Sequence, residues 1–146
     1  MKKVESANLI LKLYELRREE TMRKARNWFV RFFPETVDDV LQVYMDEESS
    51  AYLRMVLSYW DMAASFVNQG AIDEEMFNET NGEHIMVFSK IAPFLDELRE
   101  RFQLPNMYLN LEKLIMRMPD SREMLNKRRE MMKAWVEQRA KIARAG

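Results

Sequence analysis

Arg54, Ser58, Asp61 and Ser65, followed by Asn68, are the residues whose spacing most suggests chemistry. Steps of 4, 3, 4 and 3 residues put all five on one face of an α-helix. In a groove, Arg54 would orient an anionic group and Asp61 would accept a proton or hydrogen bond. The two lie about two turns apart, too far for a direct ion pair. On a convex surface the same stripe is the wetted side of an apolar helix, which is the commoner fate of such a face.

The remaining chemistry is sparse. There is no Cys, and His84 is the single imidazole. The paired Glu-x-x-His motifs of di-iron bundles are therefore excluded, and haem ligation by His84 with a Met has only composition in its favour. Because His84 follows Asn81-Gly82, it is expected in a first helical turn, partly exposed, with no metal or cofactor. Asp46-Glu47-Glu48 and Asp73-Glu74-Glu75 stand at expected helix starts, where negative charge complements the dipole. No calcium loop, Gly-rich phosphate loop or nucleophile elbow is present, so no catalytic residue is assigned.

Charge and Met content suggest partners instead. Residues 1–33 carry nine Lys/Arg against four Glu, residues 34–119 six against sixteen acids, and residues 120–146 eight against four. Basic ends flanking an acidic middle predict that the terminal helices pack on that middle, or that they meet an anionic surface. The densest basic run, Lys127, Arg128, Arg129 and Lys133, could face nucleic acid or an acidic membrane, although a pI near 6.0 disfavours a nucleic-acid binder. Thirteen Met residues suit an adaptable core or binding surface. The last helix carries the stripe Leu125, Arg128, Met132, Trp135, Arg139 and Ile142. Two arginines there are awkward for a buried face, as expected of a helix half committed to the core and half projecting. Leu125, Arg128, Met132, Trp135 and Arg139 are thus the partner-binding candidates. Lys127, Arg129 and Lys133 are the anion-binding ones, and Arg54, Ser58, Asp61 and Ser65 the candidate ligand groove.

The elements that position these residues are helical. Apolar residues recur at 3–4 spacing between Pro34, Gly70, Gly82, Pro105 and Pro119, with no strand alternation and no repeat. The expected fold is all-α, an irregular bundle of six to eight helices in one domain, residues 1–146. Its central helix lies near residues 46–69, with Leu53, Val56, Trp60, Ala63 and Val67 as its main stripe. Leu9, Leu13 and Leu16 are out of phase with Met22, Ala25, Phe29 and Phe32, so a break is expected near Arg18 to Thr21. Thr36 with Asp39 forms an imperfect capping box. Gly70 is placed for a left-handed cap, Asp73 for an N-cap, and Ile72 with Phe77 for a hydrophobic staple. Pro93 should kink a helix running to about Phe102. Asn106 should cap the next helix, and Asp120 with Glu123 a last one over about 121–144.

Two segments, Tyr59 to Asp73 (YWDMAASFVNQGAID) and Ile91 to Arg99 (IAPFLDELR), resemble an uncharacterised family of bacterial helical domains, some with an N-terminal membrane anchor. The resemblance implies an all-α fold and a bacterial origin. It supplies no activity and no site residue.

Lys2 and Lys3 precede an apolar stretch interrupted by Asn8, Lys12 and Glu15, with no small-residue cleavage site after it, which argues against a signal peptide. The least charged window, Ala51 to Ile72, still contains Arg54 and Asp61, so no transmembrane span is expected. With no Cys, the expected location is the cytoplasm, in solution or at a membrane periphery. The leading functional expectation is a non-catalytic interaction or regulatory module that binds a protein partner or itself. Binding of an anionic surface by the basic ends, and a small-molecule site along Arg54 and Asp61, are the alternatives.

Overall fold

Asp46 starts the central helix. Its carboxylate accepts the Ser49 N–H at 2.9 Å, supplying one of the partners a helix start lacks. The helix, α4, then runs Glu47–Asn68. The computed structural model describes residues 2–146. Around α4 it places α1 (Lys2–Arg17), α2 (Glu20–Arg31), α3 (Val37–Met45), α5 (Glu74–Thr80), α6 (Glu83–Ile91), a 3-10 turn (Ala92–Phe94), α7 (Leu95–Phe102), α8 (Leu109–Met116) and α9 (Ser121–Ala145). No strand occurs among the described residues. The fold is all-α; with α6 and α7 counted as one helix interrupted at Pro93, there are eight helices among the described residues.

Leu53, Val56, Trp60, Ala63 and Val67 are all buried, as their 3–4 spacing predicts. Leu57, Tyr59 and Ala64 are buried too, so α4 is covered on several sides. α2 and α8 pack on it most extensively, with α3 beside them, while α6 packs chiefly against α9.

Local signals set several joints. Glu19 lies in the expected break and accepts the Thr21 and Met22 N–H groups, both at 3.0 Å, which holds its carboxyl below the usual range. Thr36 and Asp39 make a complete capping box, the aspartate standing in for the more usual glutamate. Gly70 has φ +82°, a conformation other residues adopt only at a cost. Asp73 then caps α5 through Met76 N–H at 2.9 Å, with Ile72 and Phe77 buried as the staple. The Asp73 N–H itself donates to Ser6 Oγ at 2.9 Å, which ties the corner to α1.

Elsewhere the structure corrects the sequence expectation. In α1 only Leu13 of the leucine stripe is buried; Leu9 and Leu16 are exposed, because this helix touches the bundle along a narrow line through Ser6 and Leu13. Asp120 makes no cap bond to α9. It sits at φ +51°, and the chain enters α9 through that left-handed turn with its carboxylate away from the first-turn N–H groups. Asn106 does not cap α8 either: residues 105–108 form turns, Met107 precedes the helix, and α8 starts after Tyr108 at φ +53°. Pro93 breaks the hydrogen-bond ladder into a 3-10 turn, a sharper interruption than a simple kink. His84, expected partly exposed, is 0% exposed. Glu83 faces Arg26 and Trp60, and the following residue turns inward between Trp60 and Phe77, at ring distances of 5.5 and 5.0 Å.

Candidate functional site

The last carbonyls of α2 lack the i+4 N–H groups that would continue the helix; Phe32 N–H closes back on Trp28 and Phe29, and α6 supplies a further donor from outside. Lys90 is 3% exposed, and its Nζ donates to the carbonyls of Phe29 at 2.7 Å and Val30 at 3.2 Å. A cation at a helix C-terminus is favoured by the dipole. Burial, with Arg129 nearby, pushes the amine down to about 8. No carboxylate pairs with it among the described residues. The sequence held a signal for this: Met86, Val87, Pro93 and Phe94, the residues three and four positions away, include no acid.

α9 is fastened across the same joint. The Arg129 guanidinium donates to the Lys90 carbonyl at 3.1 Å and to the Pro34 carbonyl, and lies over the rings of Phe33 (4.4 Å) and Phe94 (5.4 Å). Leu125 and Met132 are buried; beyond Met132 only Val136 is partly covered, and Trp135 is 61% exposed. Between α2, α6 and this outer half of α9 lies a groove of about 640 Å³. Phe29, Val30, Met86, Val87, Met132 and Val136 line it. Arg31, Arg128 and Arg139 border it, none paired with a carboxylate among the described residues. Arg139 lies 5.6 Å from the Trp135 ring centre. The one acid at the groove, Glu83, is held by Arg26 at 2.9 Å and by Trp60 Nε1–H at 3.0 Å.

Of the basic candidates, Lys127 pairs with Glu123 at 3.1 Å and Lys133 with Glu35 at 3.8 Å, both exposed pairs, while Arg129 points inward as described. The structure thus brings Arg128, Met132, Trp135 and Arg139 to one groove, places Leu125 in the core, and separates Lys127, Arg129 and Lys133.

A second concavity, about 710 Å³, lies between the end of α3, the middle of α4 and the connection from α7 to α8. Arg54, Ser58 and Asp61 line it; Ser65, a turn further on, does not. Asp61 already has partners: its carboxylate accepts Leu111 N–H at 3.0 Å and Asn110 Nδ2–H at 3.2 Å. It is the missing cap of α8, provided from another helix. Asn68 extends the tie, donating to the Asn110 carbonyl at 3.0 Å and accepting from Arg117 at 2.7 Å. Asp61→Ala is expected to cost about 1–2 kcal/mol, as loss of an N-cap does. Amide exchange should quicken first in α8; unchanged urea stability would deny Asp61 this role.

No group of three or more His, Asp or Glu side chains placed to hold a metal ion exists among the described residues. No helix there is long and apolar enough to cross a membrane. No curated protein and no solved structure matches the chain. The recess by α4 lies wholly inside residues 3–118, and these residues match a family model described as a domain of unknown function, DUF4760, so the chain belongs to that family.

Proposed function

We propose that this chain is a non-catalytic interaction module that holds a helix of a partner protein against the groove between α2, α6 and outer α9. One observation supports the reading: an apolar groove bordered by three arginines that lack carboxylate partners among the described residues. The matching surface is an amphipathic helix whose apolar stripe enters the groove and whose flanking Asp and Glu meet Arg31, Arg128 and Arg139. Met86 and Met132 let the floor adapt to different side chains, and Trp135 offers a large aromatic anchor. The anionic-surface alternative has less support, because Lys127, Arg129 and Lys133 already have partners within the chain. The absence of Cys is in keeping with a module that works in the cytoplasm.

The test titrates a synthetic helix with Leu at i, i+3, i+4 and i+7 and Glu between them, followed by calorimetry. Binding should weaken at least about tenfold in Trp135→Ala and in Arg128→Glu/Arg139→Glu, the loss typical of a hot-spot residue. It should also fall with added salt. A helix bound equally by all variants, or bound by none, would sink the proposal. If sedimentation shows concentration-dependent dimers that Trp135→Ala abolishes, the partner is a second copy.

A further inference from the structure

We propose that the recess beside Arg54 is a separate binding site for a small monocarboxylate with an apolar, aromatic-sized body. The cation comes first. Arg54 is exposed on the recess wall, its Nε donating to Ser50 Oγ at 3.2 Å, and it has no carboxylate partner among the described residues. Its two terminal nitrogens therefore present a fork that fits a carboxylate.

Donors come second. The hydroxyls of Tyr44 and Tyr108 are 3.1 Å apart and bonded to each other. Two hydroxyls carry two protons and one bond between them uses one, so the other is left to donate to a ligand. Burial pushes both phenols above their ordinary value, so both keep their protons at neutral pH.

The wall that presents Tyr108 is held in advance. Arg99 Nε donates to the Met107 carbonyl at 3.0 Å while its guanidinium pairs with Glu112 at 3.1 Å, and Asp61 holds the start of α8. Tyr108 sits at φ +53°, a left-handed conformation that a residue other than glycine keeps only where its surroundings enforce it. Preorganisation of this kind lowers the cost of ordering a site on binding.

Charge and shape then select the ligand. Arg54 is the one cation lining the recess among the described residues, so it balances a single negative charge on a ligand. A phosphate dianion would bring a second negative charge with no cation to meet it, near Asp61. Met62, Phe102, Leu104 and Met107 supply the apolar surface, with Met62 and Leu104 exposed as the structure stands. The site differs from the groove at α9 in every residue and does not depend on it.

The experiment follows backbone, Arg54 Nε and Met methyl NMR signals of the full chain during titration with 3-phenylpropionate. Its neutral amide and inorganic phosphate are titrated in parallel. Saturable shifts at Arg54, Met62 and Met107 are expected, with Kd of about a millimolar or below for a fragment of this size. The amide should bind at least tenfold more weakly, and phosphate should give no saturable shift there. Arg54→Gln, an exposed substitution that leaves the core intact, should raise Kd at least tenfold, and Tyr44→Phe should raise it severalfold. Equal binding of acid and amide, an unaffected Arg54→Gln, phosphate binding as tightly as the acid, or shifts confined to Met86 and Met132 would each overturn the proposal. So would the absence of any saturable shift.

Discussion

Trp60→Ala should lower folding stability by about 3–5 kcal/mol, the range found when a large aromatic is removed from a packed interior. Trp60 is 1% exposed and lies where α4 meets α1, α5 and α6. Its ring touches Tyr59 edge-on at 4.9 Å, His84 at 5.5 Å and Phe77 at 6.4 Å, and the Arg17 guanidinium lies 5.0 Å from its centre. Its Nε1–H donates to Glu83, so truncation leaves both a cavity and a carboxylate short of one donor. Trp60→Phe keeps most of the packing but loses the N–H, and should cost clearly less. Urea titration checks both. A melting shift of a degree or less for the alanine variant would take Trp60 out of the core.

The second large effect is one of pH. His84 is fully buried with neither ring nitrogen hydrogen-bonded, and burial, with Arg128 and Arg17 nearby, pushes it down to about 4. In the unfolded chain it titrates near its ordinary value of about 6.5. Between those values the unfolded chain holds a proton that the folded chain refuses, so stability rises with pH across this window. The neutral imidazole contributes about 3 kcal/mol that is complete above about pH 6.5 and lost by about pH 4. His84→Leu keeps the site apolar and should flatten that limb of the curve. Glu19, Asp39 and Asp46, whose carboxyls are held low by backbone N–H groups, act in the same direction at more acid pH and so leave the His84 window distinct. Identical slopes between pH 4 and 6.5 for the two proteins would refute the assignment.

How well the fold is legible depends on the range of the signal. The Gly70–Asp73 corner is encoded within eight residues, with cap, staple and positive φ all present, and it forms as the spacing predicts. The Thr36–Asp39 box is equally local. Asn106 and Asp120 carry the same cap chemistry, yet left-handed turns at Tyr108 and Asp120 redirect the chain. α8 packs on α4 and α9 on α6, long-range contacts that no local motif records. The polar stripe of α4 is legible as a stripe, but its curvature is not: the wall facing Arg54 is built by residues 102–108, about fifty positions downstream. The groove is legible only on its α9 side. Phe29, Val30 and Lys90 are opposite it by tertiary packing, and no period in the chain announces that.

Asp61 has a kinetic consequence. α8 has eight residues and no N-terminal cap of its own, and a helix that short is marginal in water. The acceptor that completes it lies fifty positions back in the chain, on α4. α8 can therefore consolidate only after α4 is in place, which makes the segment from 103 to 116 a late event in folding, with low φ-values. A ligand in the recess would then find its wall only in the finished protein. It would slow unfolding while leaving the refolding rate nearly untouched, and stopped-flow traces with and without ligand would show the two limbs responding unequally.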